Sequence, residues 1–220
     1  MDGMTPGFDR VAGVYRWLEY AVFGGALERA RVAFVDRLSH CENILILGDG
    51  DGRFLKTLVQ AAPAARIRSV DASARMLSVA AQPLSAADRA RVTFEQADAL
   101  DLDLGTSTYD AVVTLFFLDC FSNDQVDALV SRVSRHMRPG ALWLFADFAI
   151  PPRGLARWSA RVVVGGLYWF FRWQTGLVAR ELPASERSLE RAGLWCIDEV
   201  ESRGGLVRST AYLMPPHGPG

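Results

Sequence analysis

The chain has 220 residues, of which 50% are hydrophobic, and a formal net charge of −1. This length suits one well-buried domain, and the near-neutral charge gives no electrostatic case for a nucleic-acid partner. The cysteines, Cys41, Cys120 and Cys196, lie far apart, with no CxxC pair and no histidine at metal-ligand spacing. They predict a reducing compartment and no metal site.

The N-terminal part predicts helices and no targeting segment. Apolar residues recur at helical spacing over residues 8–38, and Gly24 and Gly25 predict a break between two helices. The chain start lacks the basic and apolar regions of a signal peptide, and the most apolar stretch, residues 162–171, is about half as long as a spanning helix. We therefore expect a cytoplasmic protein.

The middle of the chain alternates short apolar runs with amphipathic helical patterns. The runs predict strands at residues 44–47, 67–70, 92–94, 111–115 and 142–148. The helical patterns cover residues 53–61, 74–80 and 125–136. Continuously apolar strands separated by helices indicate a parallel sheet covered on both faces, which is a doubly wound α/β fold. Ligands of such folds bind beyond the carboxyl ends of the strands.

The last third departs from this alternation and then returns to regular structure. Residues 151–183 read as an insertion, followed by a helix over residues 185–192 and strands over 194–200 and 206–213, joined by a turn at 202–205. We therefore divide one domain into four parts. These are N-terminal helices (1–39), a core (40–150), an insertion (151–183) and a C-terminal helix and hairpin (184–213).

A glycine-rich loop follows the first predicted strand. Gly48, Gly50 and Gly52 alternate with Asp49 and Asp51. The dinucleotide fingerprint needs its third glycine one position later, and two carboxylates beside a pyrophosphate cost on the order of a kcal/mol each. The loop therefore favours a cationic cofactor over a nicotinamide dinucleotide, unless it is only a tight turn.

Two further carboxylates follow the next predicted strands. Asp71 lies 19 residues after Gly52, close to the offset at which an acidic residue binds ribose hydroxyls. The alternative is that Asp71 caps the following helix. Asp98 follows the third strand, where its oxygen could accept from an adenine amino group.

These motifs together resemble those of class I S-adenosylmethionine-dependent methyltransferases. The resemblance covers the glycine loop, VDASARML (70–77), EQADAL (95–100), YDAVVTLFFLDCF (109–121) and RHMRPGALWLFADF (135–148). It implies a Rossmann-like, seven-stranded, mostly parallel sheet closed by an antiparallel hairpin, with S-adenosylmethionine as cofactor. It implies cofactor-binding residues at Tyr15, Gly48, Asp49, Gly50, Gly52, Asp71, Ala72, Met76, Asp98, Ala99, Leu115 and Phe116. Ile46 stands where the family often has an acidic residue, and Asp49 could compensate for it.

The residues 8–20, FDRVAGVYRWLEY, resemble the small-molecule branch that includes quinone-ring methyltransferases. The resemblance places Tyr15 over the cofactor; the alternative is an ordinary residue of an amphipathic helix. Asp119 is best placed to act as a catalytic base if the acceptor must lose a proton. Otherwise it caps the helix that begins near Asn123.

Residues 151–180 contain arginines and aromatic side chains but no Asp or Glu. We expect this segment to cover the acceptor site, with Arg153, Arg157, Trp158, Trp169 and Trp173 contacting the substrate. Such a cover suits a small or amphiphilic acceptor with an anionic group, or peripheral contact with a membrane. The alternative is that the aromatics complete the core and the arginines form a solvated face.

Two other functions stay open at this stage. A nicotinamide-dependent oxidoreductase and a non-catalytic S-adenosylmethionine-binding module both use a comparable fold.

Overall fold

The computed structural model describes residues 25–106, 108–149 and 183–216. Within these ranges seven strands form one sheet: β1 (Asn43–Leu47), β2 (Arg66–Asp71), β3 (Val92–Gln96), β4 (Tyr109–Leu115), β5 (Met137–Phe148), β6 (Trp195–Ser202) and β7 (Val207–Leu213). The helices are α1 (Ala26–Val32), α2 (Arg53–Ala61), α3 (Ala74–Ala81), α4 (Ala86–Arg89), α5 (Asn123–Ser134) and α6 (Ser185–Arg191). Short 3₁₀ helices cover Val35–Leu38 and Leu118–Cys120.

The strand order is β3-β2-β1-β4-β5-β7-β6. The pairs among β1 to β5 are parallel, and β7 runs antiparallel to both β5 and β6. This topology confirms the predicted doubly wound sheet with a C-terminal antiparallel hairpin.

The sheet is buried on both faces, as the continuously apolar strands require. Ile44 and Ile46 of β1 belong to the cluster on the α2 face, whereas Leu45 and Leu47 belong to the cluster on the α5 face. All four side chains are at most 1% exposed. Because successive strand residues point to opposite faces, one apolar run of β1 supplies both halves of the core.

The boundary between α5 and β5 differs from the predicted one. The helix begins two residues earlier than expected, because Ser122 and Gln125 form a capping box at its start. It ends at Ser134, and β5 begins at Met137. The carbonyl of His136 already accepts the N–H of Tyr109 in β4, at 2.8 Å, so residues assigned to the helix belong to the sheet region.

The glycine pair at 24 and 25 precedes a helix, as predicted, since α1 begins at Ala26. This helix packs on β7, where Leu27 and Ala30 contact Val207 and the hydroxyl of Ser209 donates to the Ala30 carbonyl at 2.9 Å. The first predicted N-terminal helix and all but the last residue of the predicted insertion (151–183) lie outside the described residues. No helix in the described part of the chain combines the length and apolar character needed to cross a bilayer.

Candidate active site

The site lies where the strand order changes direction. From β1 the chain builds the sheet outward through β2 and β3 on one side, and through β4 and β5 on the other. In such sheets the loops after the two central strands border a crevice that binds ligands. Here these loops touch, because a Cβ on Gly48 would lie 2.0 Å from Cδ2 of Phe117. Glycine at 48 therefore lets the loop after β4 pack against the loop after β1.

The three glycines of the loop have different roles. All three have positive φ, at +71°, +59° and +78° for Gly48, Gly50 and Gly52. A Cβ on Gly52 would lie 2.6 Å from the backbone Cα of Ala80, so this glycine brings α2 close to α3. A Cβ on Gly50 would have no atom within 4 Å. Of the three, Gly50 alone exposes its backbone to open space, as a ligand-binding glycine should.

The loop carboxylates are engaged by the loop itself. Asp49 accepts the backbone N–H groups of Phe54 at 3.3 Å and Leu55 at 2.8 Å, which lie in the first turn of α2. Burial raises the pKa of Asp49 to about 7 although these bonds favour its charged form. Asp51 accepts from Arg53 Nε at 3.0 Å. The electrostatic argument against a phosphate is therefore weaker than the sequence suggested, since both carboxylates have partners in the chain.

Asp71 joins the end of β2 to the glycine loop. Its Oδ2 accepts the N–H of Gly50 at 3.3 Å, and its Oδ1 accepts the N–H of Ser73 at 2.8 Å. The alternative that Asp71 caps α3 is wrong, because Ser73 is the N-cap and its hydroxyl accepts the N–H of Met76 at 3.3 Å. The carboxylate keeps further lone pairs, so ribose binding stays a prediction.

The loop after β3 is held from α5. Asp98 is exposed, and its Oδ1 accepts the N–H of Leu100 at 2.9 Å. The guanidinium of Arg132 donates to the carbonyls of Ala99 and Leu100. Sequence reasoning did not identify Arg132, because nothing in the helical pattern of α5 distinguishes it from the neighbouring arginines. Arg132 fixes the loop on which the predicted adenine contact depends.

Two of the predicted cofactor-binding residues border the start of α3. Ala72 is exposed, and its carbonyl accepts from Gln96 Nε2 at 3.3 Å. Met76 is also exposed, at 41%. Both therefore lie accessible beside Asp71, as their predicted contacts require.

The loop after β4 begins with a strained residue. Leu115 is buried in the core, and Phe116 adopts φ +55°, which is rare for a residue other than glycine. The Phe116 N–H donates to the Ala146 carbonyl at 2.7 Å. Its ring lies 5.2 Å from that of Phe148, and the guanidinium of Arg31 lies 5.1 Å from its centroid. Strained non-glycine residues cluster at functional sites, in keeping with the predicted role of this turn.

Asp119 lies in the 3₁₀ helix Leu118–Cys120, and its carboxyl group and that of Asp147, at the end of β5, influence each other's pKa. Burial raises the pKa of Asp119 to about 6 and that of Asp147 well above its ordinary value. Ser122 caps α5, so the alternative that Asp119 caps it is wrong. Asp147 was not predicted; the available signal was a single aspartate within the apolar run LFADF.

Asp147 also lines a cavity of about 440 Å³ at the end of β5, with Phe148, Glu186 and Arg208 among its walls. Ala149 and Pro183 line the same cavity. The residues on either side of the segment 150–182 therefore both border this cavity. Tyr15, Arg153, Arg157, Trp158, Trp169 and Trp173 lie outside the described residues. In the described ranges no group of three or more His, Cys, Asp or Glu side chains is arranged to hold a metal ion.

Comparison with known proteins gives a match in both sequence and fold. Residues 44–140 match the family model described as a methyltransferase domain. No curated protein matches the chain.

Many solved structures share the fold. The N-methyltransferase NodS from Bradyrhizobium japonicum WM9, solved with S-adenosylhomocysteine, is 18% identical with a TM-score of 0.62, covering 86% of this chain and 88% of its own. An O-methyltransferase family protein from Burkholderia thailandensis is 16% identical, with a TM-score of 0.68 and coverage of 95% and 61%. Human N-acetylserotonin methyltransferase, solved with S-adenosylmethionine, is 17% identical, with a TM-score of 0.60 and coverage of 96% and 60%. The chain thus spans most of the length of NodS and about 60% of the other two.

Proposed function

The chain carries a class I, S-adenosylmethionine-dependent methyltransferase domain over residues 44–140, and from that premise we propose that it methylates a small or amphiphilic molecule. The domain match confirms the predicted enzyme class and supports the predicted cofactor. The observation that carries the proposal is the hydrogen bond between Gly50 and Asp71, which places an open backbone segment and a carboxylate side by side at the strand ends.

The described residues fit the cofactor. The open side of Gly50 and the exposed Asp98 leave room for a ligand along the ends of β1 to β3. We assign the methionine part to Gly48, Asp49, Gly50 and Gly52, the ribose to Asp71 with Ala72 and Met76 nearby, and the adenine to Asp98 and Ala99. We assign the opposite wall of the cofactor site to Leu115 and Phe116. Tyr15 remains a proposed contact over the cofactor.

Methyl transfer requires the protein to align the acceptor with the cofactor more than to activate either of them. When bound, the cofactor supplies an electrophilic methyl group on a sulfonium, so that the chain's main tasks are orientation and exclusion of water. We propose Asp119 as the base that accepts the proton lost by the acceptor. Its position after β4, at the rim of the crevice, supports this role.

The proposed cover over the acceptor is the segment 151–180. Its connection to the rest of the chain supports this, because Ala149 and Pro183 both line the cavity that contains Asp147. Arg153 and Arg157 would bind an anionic group, and Trp158, Trp169 and Trp173 an apolar body. The same segment could contact a membrane surface from the cytoplasmic side, and we propose no nucleic-acid partner.

Binding and turnover together test the proposal. Calorimetry should show that the protein binds S-adenosylmethionine and S-adenosylhomocysteine and does not bind NAD. Mass spectrometry should then detect S-adenosylhomocysteine formed in the presence of candidate acceptors. Tighter binding of NAD would favour an oxidoreductase, and cofactor binding without turnover across hydroxyl, amine and thiol acceptors would favour a non-catalytic module.

A further inference from the structure

A cavity of about 370 Å³ lies at the amino ends of the parallel strands, at the opposite end of the sheet from the crevice. This volume falls within the roughly 300–1,000 Å³ that is usual for small-molecule sites. Its walls include the first residues of three strands, Asn43 of β1, Arg66 of β2 and Tyr109 of β4. Because the cofactor loops follow the carboxyl ends of these strands, the cavity is separate from the proposed active site.

The polar part of the cavity wall carries guanidinium and hydroxyl groups. Three arginines and three threonines line it: Arg66, Arg68, Arg138, Thr93, Thr106 and Thr108. No Asp or Glu is among the described residues of the wall. Both kinds of group donate hydrogen bonds, and the guanidinium groups are positively charged. The wall therefore suits an anion that has several oxygen atoms.

Arg68 is held in place by three acceptors. Its guanidinium donates to Glu95 at 2.7 Å, to the Tyr109 hydroxyl at 3.0 Å and to the Asp103 carbonyl at 2.8 Å. Each of its three nitrogens therefore makes one bond, which fixes the plane of the group. Because Glu95 balances its charge, Arg68 shapes the cavity more than it attracts an anion.

Arg138 and Arg66 differ in their partners. Arg138 donates from Nη1 to Asp110 at 2.7 Å and from Nε to the Thr108 hydroxyl at 3.2 Å, so its charge is also balanced. Arg66 is exposed, and within the described ranges its side chain makes no ion pair and no hydrogen bond. An anion in the cavity would supply the partner that the Arg66 guanidinium lacks there.

We propose that this cavity binds a phosphate monoester, with Arg66 as the charge that holds the phosphate group and the threonine hydroxyls as further donors. A phosphate monoester has three terminal oxygens and nearly two negative charges at neutral pH, which matches several donors spread over one wall. At about 30 Å³ per water, the cavity has the volume of about twelve waters, so it has room for an organic group beside the phosphate. This site goes beyond the proposed function and does not depend on it.

An NMR titration at constant ionic strength tests the site with three probes: phenyl phosphate, inorganic phosphate and benzoate. Phenyl phosphate should bind most tightly and should shift the backbone amide signals of residues 66–68 and 108–110. Tighter binding of inorganic phosphate would overturn the monoester as the ligand, and equal binding of benzoate would overturn the preference for phosphate. Shifts confined to the glycine loop, residues 48–52, would place the phosphate at the cofactor site and overturn the proposal.

A pair of variants with the same change of charge tests the role of Arg66. Arg66→Gln should fold as the wild type does and should weaken phenyl phosphate binding by roughly tenfold, because a charge-assisted hydrogen bond is lost. Arg191→Gln is the control, because Arg191 is an exposed arginine that pairs with Asp127 at 2.7 Å and does not line the cavity. Equal affinities of the two variants would overturn the proposal. The titration contains neither cofactor nor acceptor, so a negative result counts against this site alone and leaves the proposed function untouched.

Discussion

The N–H of Gly50 donates to Asp71 Oδ2 at 3.3 Å and thereby couples the loop after β1 to the end of β2. Asp71 ends its strand, and Gly50 lies in the loop that follows β1. A ligand that binds both would therefore meet a preformed arrangement of one backbone segment and one carboxylate.

Removal of the Asp71 carboxylate should weaken cofactor binding. Asp71→Ala is expected to cost about 1–3 kcal/mol of binding free energy, because charge-assisted hydrogen bonds to two ribose hydroxyls are lost. Asp71→Asn should cost less, since one oxygen remains. Asp103→Ala is the control, because Asp103 is an exposed carboxylate that accepts one backbone N–H, from Gly105, away from the crevice. Calorimetry with S-adenosylhomocysteine measures the difference; normal binding by Asp71→Ala would refute the ribose assignment.

Alanine at Gly52 should mainly lower stability, whereas alanine at Gly50 should mainly weaken cofactor binding. Gly52→Ala places a methyl group against the Ala80 backbone and should lower the free energy of unfolding by several kcal/mol, about 1–3 of it from overpacking. Gly50→Ala meets no atom and should cost only the roughly 1–2 kcal/mol of a left-handed alanine, while hindering the cofactor. Gly140→Ala is the matched control. Gly140 also has a positive φ, +81°, and a Cβ there would meet no atom within 4 Å, but it lies near the start of β5, at the end of the strand away from the crevice. Equal cofactor affinity in Gly50→Ala and Gly140→Ala would contradict this prediction.

Arg132 should affect cofactor binding without touching the cofactor. Arg132→Met removes the donors that hold the carbonyls of Ala99 and Leu100, so the loop bearing Asp98 should become mobile and affinity should fall by roughly fivefold to thirtyfold, about 1–2 kcal/mol. Arg135→Met at the end of the same helix is the control, because Arg135 is exposed and donates to Ser131 Oγ at 3.2 Å. Hydrogen exchange at residues 97–101 measures the loop. The explanation fails if exchange is unchanged while affinity falls.

Asp49 should make stability depend on pH. Its pKa is raised from 3.8 to about 7 in the folded chain, so the folded state binds this proton more tightly than the unfolded state. The associated stability is complete below about pH 4 and is lost as the pH rises through 7. Asp49→Asn lacks this titration and keeps an acceptor for the helix N–H groups. Urea unfolding should therefore show Asp49→Asn gaining stability relative to the wild type from pH 5 to pH 8; a constant difference would contradict the assignment.

The segment 151–180 should act on the acceptor more than on the cofactor. Trp169→Ala or Trp173→Ala is expected to impair methyl transfer while S-adenosylhomocysteine binding is retained. Replacing Arg153 and Arg157 together should weaken use of anionic acceptors, or attachment to anionic liposomes, in a salt-dependent way. Steady-state kinetics and liposome sedimentation measure both effects. Unchanged values in all variants, with circular dichroism showing an intact fold, would favour a structural role for the segment.

Much of the fold could be read from the sequence, because local signals agreed with the tertiary structure. The helix predicted at residues 53–61 has the bounds Arg53–Ala61, since Gly52 marks its start. The α5–β5 junction was predicted poorly because the chain passes directly from a helix into a sheet. There, pairing between Tyr109 and His136 outweighs the helical pattern.

The roles of the site residues were harder to predict where a side chain contacts a group that only the folded chain brings close to it. Asp71 occupies the predicted strand end, and its spacing from Gly52 was informative. Asp49 instead binds the start of α2, a role that depends on how the loop curls back. Asp147 lies within an apolar strand, and its place beside the loop after β4 depends on the register of β4 and β5. Neither relationship leaves a pattern of fixed spacing in the sequence.

The left-handed backbone of Phe116 restricts how this position can change over evolution. Glycine would relieve the backbone but leave a gap where the ring now contacts Phe148 and Arg31. Any other side chain would keep the strain, roughly 1–2 kcal/mol, without those contacts. Because Arg31 belongs to α1, the contact between its guanidinium and the Phe116 ring joins that helix to the end of β4. Loss of α1 would remove the Arg31 guanidinium from the Phe116 ring and leave the strained backbone without that contact.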